Sequence, residues 1–134
     1  MHNNNNQAAK SNALQSFVNS YQQAINSADI DSLIAHYRDN AIQLPPNLNE
    51  VTGVSAIKKR MSDLLSAYPG AKVYIQVNDT KVEGEMATIR CKYEEFWQED
   101  KEQKSINGDW LFVLEKLENQ WLISTEIWNH TLAH

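Results

Sequence analysis

The periodicity of the apolar residues changes within the stretch of residues 54–77, VSAIKKRMSDLLSAYPGAKVYIQV. In its first half the apolar side chains recur every three or four residues, which is the period of an amphipathic helix. Pro69 and Gly70 then end the helix. Over 73–77 the period becomes two, as in a strand with one buried face. The chain therefore changes here from helices to strands.

Upstream of this stretch the sequence predicts two further helices. One apolar stripe with helical spacing runs over 14–28, and a shorter one over 30–37 follows Asp29, a residue that often caps helices. We expect the second helix to stop near 39–40. A brief strand over 41–44 should follow and end at a double proline, which cannot donate to a sheet.

Downstream of the stretch the alternating pattern continues. It covers 87–94, 110–117 and 121–130, with a turn at Glu118-Asn119 between the last two segments. The charged run over 98–104 reads as a solvated loop. Because the links between strands are short, the sheet is expected to be antiparallel.

Three helices followed by a sheet with one apolar face predict an α+β fold in which the helices cover that face. A twisted sheet curves, so the helices should leave a pocket beneath them. The prediction is a single domain over 11–134, after a disordered polar tail over 1–10.

The composition argues against several function classes. The net charge is −5 and the densest basic cluster is only three residues, so binding to nucleic acid or to an anionic membrane is not expected. No apolar run is long enough to span a bilayer. The single cysteine, Cys91, excludes an intrachain disulfide, which fits a reducing compartment, and the cytoplasm is the expected location. Cys91 lies in an alternating apolar run, which favours a buried, inert thiol.

No His, Cys, Asp or Glu residues have the spacing of metal ligands, and no glycine-rich phosphate loop is present. We therefore expect neither a metal nor another cofactor. His36 flanks the stripe of the short second helix and is read as a solvated residue rather than a base.

Three segments together resemble the nuclear transport factor 2-like superfamily, in its ketosteroid-isomerase-like and SnoaL-like branches. The first is the spaced pattern YxxAxNxxDxDxLxxxYxDxA over 21–41. The second is GxxAI over 53–57, and the third is WxIxxxxWN over 121–129. The resemblance implies a cone-like, cystatin-like α+β roll, usually dimeric, with a pocket between helices and sheet. It implies no single activity, since members include isomerases, dehydratases, cyclases, hydrolases and non-catalytic modules.

Carried onto this chain, the isomerase site is only partly present. Tyr21 matches the tyrosine that holds the enolate oxygen, and Asp109 roughly matches the neutral acid beside it. The proton-shuttling aspartate should follow the short first strand, where this chain has Leu44-Pro45-Pro46. None of these side chains can move a proton, which argues against steroid-type isomerisation. A buried phenol at Tyr21 could also simply satisfy its hydroxyl within the core.

The orientation of Asp109 stays open at this point. Alternation places Asp109 on one face of its strand and the large apolar residues Trp110 and Phe112 on the other. If Asp109 points into the pocket, an apolar patch is left outside and a homodimer should cover it. If the aromatic residues fill the core, Asp109 is a solvated carboxylate.

The last strand was interpreted with Ile123, Thr125, Ile127 and Asn129 facing the pocket. The opposite face would then contribute to a homodimer interface through Trp110, Phe112, Leu122 and Trp128.

The resulting hypothesis is a homodimeric domain that binds a small, apolar organic molecule. As an enzyme it would be a cofactor-free isomerase, dehydratase or cyclase, with Tyr21 donating a hydrogen bond and Asp109 acting as acid or base. The alternative is a non-catalytic dimeric module whose cone is filled by aromatic side chains. The expected ligand-pocket residues besides this pair are Tyr37, Met61, Ile89, Tyr93, Trp97, Thr125 and Asn129.

Overall fold

The computed structural model describes residues 2–131, and its first layer consists of three helices. They are α1 (His2–Asn26), α2 (Ile30–Ile34) and α3 (Val54–Ala67). Asp29 caps α2, because its side chain accepts a hydrogen bond from the backbone N–H of Ser32 at 3.2 Å. In the part of the chain that the structure describes, no helix is both long enough and apolar enough to cross a membrane.

The first helix is longer than expected. It already begins at His2, so residues 2–10 are helical where the polar composition predicted a disordered tail. The stripe that begins at Leu14 packs into the core and supplies a stable helical nucleus. Once that nucleus exists, each added residue gains a backbone hydrogen bond, so the helix extends beyond its packed part.

The second layer is one sheet of six strands. In chain order they are β1 (Tyr37–Leu44), β2 (Val51–Thr52), β3 (Lys72–Glu83), β4 (Met86–Glu99), β5 (Glu102–Leu117) and β6 (Gln120–Trp128). Their order across the sheet is β2-β1-β6-β5-β4-β3. The predicted α+β architecture, three helices on one curved open sheet, is confirmed. The sheet is mixed rather than antiparallel, since β1 pairs with β6 in parallel.

Two strand boundaries differ from the prediction. Tyr37 begins β1 instead of ending α2, because the backbone at this point already pairs with β6: the N–H of Ile123 donates to the carbonyl of His36 at 2.7 Å. The charged run over 98–104 is the tip of a long hairpin rather than a loop. Asp100 and Lys101 form its two-residue turn with φ of 53° and 69°, the geometry that matches strand twist.

A bulge in β6 decides which residues enter the core. The pairing with β5 steps from Val113–Thr125 to Leu114–Ile123, so Ser124 is an extra residue in β6. After the bulge, each side chain of β6 lies on the face opposite to the one that simple alternation predicts. Glu126 is therefore fully buried, whereas Ile127 is 43% exposed.

The same sheet resolves the orientation of β5. Trp110, Phe112 and Leu114 are buried in the core, so the expected dimer patch built on Trp110 and Phe112 is wrong. Trp128 also lies on the inner face, with its ring stacked on Trp110 at 4.8 Å between centroids. Of the four predicted interface residues, Leu122 alone lies on the outer face, paired with Glu115. The helices cover an aromatic interior.

Candidate functional site

The centre of the candidate site is a carboxyl group that the fold encloses completely. Glu126 of β6 has no exposed surface, and its hydrogen-bond partners among the described residues are all uncharged side chains. Four polar groups from three elements surround it: the hydroxyls of Tyr21 (α1) and Tyr37 (β1), the amide of Gln43 (β1) and the indole N–H of Trp110 (β5). The amide contact measures 2.7 Å and the indole contact 3.2 Å. The core thus holds one acid in a closed polar network.

The distances in this network indicate how many protons it holds. The Tyr21 and Tyr37 hydroxyl oxygens lie 3.0 Å apart, Tyr21 lies 3.0 Å from Oε2 of Glu126, and Tyr37 contacts Oε1. Three such contacts need three protons, and two phenols supply only two. A proton on Oε2, donated to Tyr21, completes the ring, because Tyr21 then donates to Tyr37 and Tyr37 to Oε1. The geometry therefore favours a neutral carboxylic acid at Glu126.

Electrostatics point the same way. Burial raises the pKa of Glu126, and the four hydrogen bonds around it oppose this effect only in part. Burial, and after it the nearby Glu126, also raise the pKa of both Tyr21 and Tyr37 well above 10.0. All three groups are thus favoured in their neutral, protonated forms. Gln43 contributes the buried Oε1 that, within the described residues, has no hydrogen-bond partner.

A small cavity lies beside this network, between α3 and the sheet. Its volume is about 60 Å³, room for roughly two water molecules. The rings of Tyr21, Trp110 and Trp128 form its inner wall. Its outer wall combines apolar side chains of α3 with polar groups at the rim: Arg60, Met61, Leu64, Leu65, Tyr68, Lys72 and Glu95. The Arg60 guanidinium lies 5.5 Å from the centre of the Trp128 ring, within cation–π range.

Comparison with known proteins agrees with this architecture. The family model of the nuclear transport factor 2 (NTF2) domain matches residues 13–128. The chain belongs to the NTF2 family. No curated protein matches its sequence.

Three solved structures share the fold of this NTF2 domain. An NTF2-like protein with a cystatin-like fold from Novosphingobium aromaticivorans is 14% identical, with a TM-score of 0.84 over 99% of this chain and 89% of that one. A protein described as a dehydratase of the NTF2-like family from Streptomyces avermitilis is 10% identical, with a TM-score of 0.84 over 94% and 99%. A ketosteroid isomerase-like protein from Erwinia carotovora atroseptica is 16% identical, with a TM-score of 0.76 over 90% and 95%. At these identities the likeness concerns the fold.

Some of the predicted site residues of this NTF2 domain lie together. Tyr21 and Met61 line the cavity, and Tyr37 contacts Glu126 directly. Ile89 is fully buried in the core. Trp97 is half-buried beside Tyr68, with 6.3 Å between ring centroids.

Other predicted site residues lie away from the cavity. The Tyr93 hydroxyl donates to the backbone carbonyl of Asn129 at 2.8 Å, and Asn129 itself is exposed. Thr125 pairs with Val113 on the outer face. The outward positions of Thr125 and Asn129 follow from the bulge at Ser124, which reverses the faces predicted for the end of β6.

Asp109 lies on the outer face of the sheet, next to the Lys92 ammonium. Its side chain is 47% exposed, and the hydrogen bond from Lys92 lowers the pKa of the carboxyl. An exposed carboxylate held ionised cannot act as the buried neutral acid that the resemblance implied. Of the two orientations considered for β5, the structure has the solvated one.

The sequence analysis missed two residues of the network, Gln43 and Glu126, and left the inward orientation of Trp110 open. The sequence did contain a signal for the buried acid, since Glu126 is an isolated acidic residue in an apolar strand, three positions after Ile123. Cys91 is buried as expected, and burial raises the pKa of its thiol to about 12, so it is inert. Among residues 2–131 no group of three or more metal-ligating side chains is placed to hold a metal ion.

Proposed function

We propose that this NTF2 domain binds a small, largely apolar molecule between α3 and the sheet. The proposal rests on the walls of the cavity. Its inner wall consists of aromatic rings next to the buried Glu126, and its outer wall is the helix α3, which covers these rings only in part. Only Ile57 and Met61 of α3 are buried, whereas Leu64 and Leu65 in its second half are partly exposed. Displacement of this half of the helix enlarges the cavity with little loss of packing.

A catalytic function is the second candidate, favoured by the position of Tyr21. Its ring forms part of the cavity wall while its hydroxyl contacts Glu126, so the network connects a neutral acid to the binding site. Acid–base chemistry of the isomerase, dehydratase or cyclase type would use Glu126 and Tyr21. Two of the similar structures are described as a dehydratase and as ketosteroid isomerase-like.

We also propose that the domain is a cytoplasmic homodimer formed through the outer sheet face, with different residues from those first expected. On this face, apolar side chains lie together in two neighbouring rows of residues that are paired across β1, β6 and β5. They are Ile42, Leu44, Leu111, Val113 and Ile127. A continuous apolar surface on three adjacent strands favours burial against a second copy.

Native mass spectrometry of the protein purified without organic solvent, together with thermal unfolding in the presence of toluene, tests binding and assembly. The wild type should be a dimer that carries an apolar adduct, or that takes up added toluene with a rise in Tm. Ala71→Leu, which adds a side chain to the cavity, should abolish ligand uptake, whereas Ala67→Leu on the exposed face of α3 should not. Ile127→Asp should give monomers.

Leu48→Asp is the matched control for assembly, since Leu48 is 63% exposed on the loop before β2. A wild type that neither carries an adduct nor responds to toluene would contradict the binding proposal. A monomeric wild type would contradict the dimer.

A further inference from the structure

Ser20 and His36 form a pair outside the cavity that the proposed function does not use. Ser20 lies on α1, and His36 lies between α2 and β1. Nε2 of His36 is 2.9 Å from the Ser20 hydroxyl oxygen. Nδ1 is 2.8 Å from the carbonyl oxygen of Ser32 and 3.2 Å from that of Leu33. A serine, a histidine and a fixed acceptor are thus aligned.

The acceptors around Nδ1 determine the tautomer of His36. Carbonyl oxygens only accept hydrogen bonds, so Nδ1 must carry the hydrogen. In the neutral ring Nε2 then has a free lone pair, and it accepts the hydrogen bond of the Ser20 hydroxyl. Burial lowers the pKa of His36, which keeps the ring neutral near pH 7. Edge contacts with Phe17 and Tyr21, at 5.2 and 5.7 Å between ring centroids, hold its orientation.

The pair faces an open groove of about 490 Å³, a volume typical of sites for small organic molecules. Phe17, Trp121 and Leu122 give this groove apolar walls. Ser16 and Gln120 also line it and can donate hydrogen bonds. Ser20 is exposed, so a ligand in the groove has access to its hydroxyl.

We propose that Ser20 is a nucleophile that takes acyl groups from small apolar carboxylic esters, with His36 as its general base. The Ser20 oxygen attacks the ester carbonyl while its proton passes to Nε2 of His36. The bond to the leaving alcohol breaks, and the alcohol leaves with the proton from His36. Water, activated by the same nitrogen, then hydrolyses the acyl-serine and returns both residues to their initial state.

The groove explains the substrate class. Its apolar walls suit a short aliphatic or aromatic acyl group, and no cation among its described lining residues would attract a charged one. The backbone carbonyl of Ser32 takes the part that a carboxylate has in other serine–histidine pairs, since it fixes the ring and its tautomer. The hydroxyl of Ser16 and the amide of Gln120 are the side-chain donors available to the oxygen of the tetrahedral intermediate.

The test uses p-nitrophenyl butyrate with the intact protein, and two readouts: release of p-nitrophenolate and the mass of each serine-containing peptide. We expect one butyryl group on Ser20. Ser20→Ala should remove this adduct, and His36→Gln should slow its formation about 100-fold. Both variants should keep the thermal unfolding profile of the folded chain, since Ser20 is exposed and glutamine retains a donor at position 36.

Ser27→Ala is the matched control. Ser27 also lies beside α1, and its hydroxyl bonds the carbonyl of Gln23 at 2.8 Å with no histidine involved. This variant should be acylated at Ser20 like the wild type. If Ser20 is not labelled above Ser27, or if His36→Gln leaves the rate of labelling unchanged, His36 is only a cap for α2 and the proposal is wrong.

Discussion

Glu126→Ala is expected to lower the free energy of unfolding by about 4 kcal/mol at pH 7. The substitution leaves four buried polar groups without their common partner: the hydroxyls of Tyr21 and Tyr37, the Gln43 amide and the Trp110 indole. Each unsatisfied buried group costs about 1–3 kcal/mol, and the lost side chain adds a cavity. Urea denaturation followed by tryptophan fluorescence measures the change.

The control for this substitution is Glu94→Ala, which removes an exposed glutamate from the outer face of β4. Its effect should stay within about 0.5 kcal/mol. Equal stabilities for the two alanine variants would mean that the network does not support the core.

Gly108→Ala should destabilise the fold by about 3 kcal/mol. A Cβ at this buried position would lie 1.9 Å from the backbone carbonyl oxygen of Asn129, closer than any contact between real atoms of these kinds. Residues 129–131 run beside β5 here, held by hydrogen bonds from Asn129 N to Asp109 O at 3.0 Å and from Thr131 N to Asn107 O at 2.7 Å. We expect the end of the chain to detach and the melting temperature to fall.

Gly70→Ala serves as the comparison for Gly108→Ala. Nothing lies within 4 Å of a Cβ at Gly70, so the cost is limited to its positive φ of 83°, about 1 kcal/mol. Amide hydrogen exchange at Thr131 should increase in Gly108→Ala and stay unchanged in Gly70→Ala. Unchanged exchange in both variants would show that the close approach at Gly108 does not hold the chain end.

The fold was predictable because its strongest signals are local. The helical stripe of 54–67 and the alternation after Gly70 each extend over many residues, so one exception does not hide the period. The turn at Glu118 and Asn119 was also recognisable, and both residues have positive φ in the structure.

The candidate site was harder to predict, because its geometry depends on a single inserted residue. The bulge at Ser124 leaves no mark in the alternation of a nine-residue strand, yet it exchanges the faces of Glu126 and Ile127. The parallel pairing of β1 with β6 was equally hidden, since it joins segments about 85 residues apart. The inward position of Tyr21 was predictable because its helix stripe is long, and its side chain is fully buried.

The resemblance to the isomerases predicts a buried neutral acid on β5, where this chain has an exposed carboxylate. It pointed to Asp109, whose neighbour Lys92 and exposed position keep it ionised. The buried acid of this chain is on β6 instead, where it reaches the same Tyr21 from another direction. A shared fold therefore left the position of the buried carboxyl open, and the structure places it on β6.

The most direct test of the neutral buried acid measures the free energy of unfolding of the wild type and of Glu126→Gln as a function of pH. The quantity of interest is the value for the wild type minus the value for the variant. Glutamine keeps the shape of the side chain and cannot ionise, so the comparison isolates the titration of the carboxyl group. Because burial raises the pKa of Glu126, the folded chain holds more protons than the unfolded chain above pH 4.5. The stabilisation that the protonated Glu126 contributes is complete below that pH. It is lost as pH rises through the pKa that Glu126 has in the folded chain.

A neutral buried acid predicts that the free energy of unfolding of the wild type relative to Glu126→Gln falls as pH rises from about 4.5, by up to about 1.4 kcal/mol per pH unit. A difference that rises over the same range, as an ionised and hydrogen-bonded carboxylate would give, would contradict it.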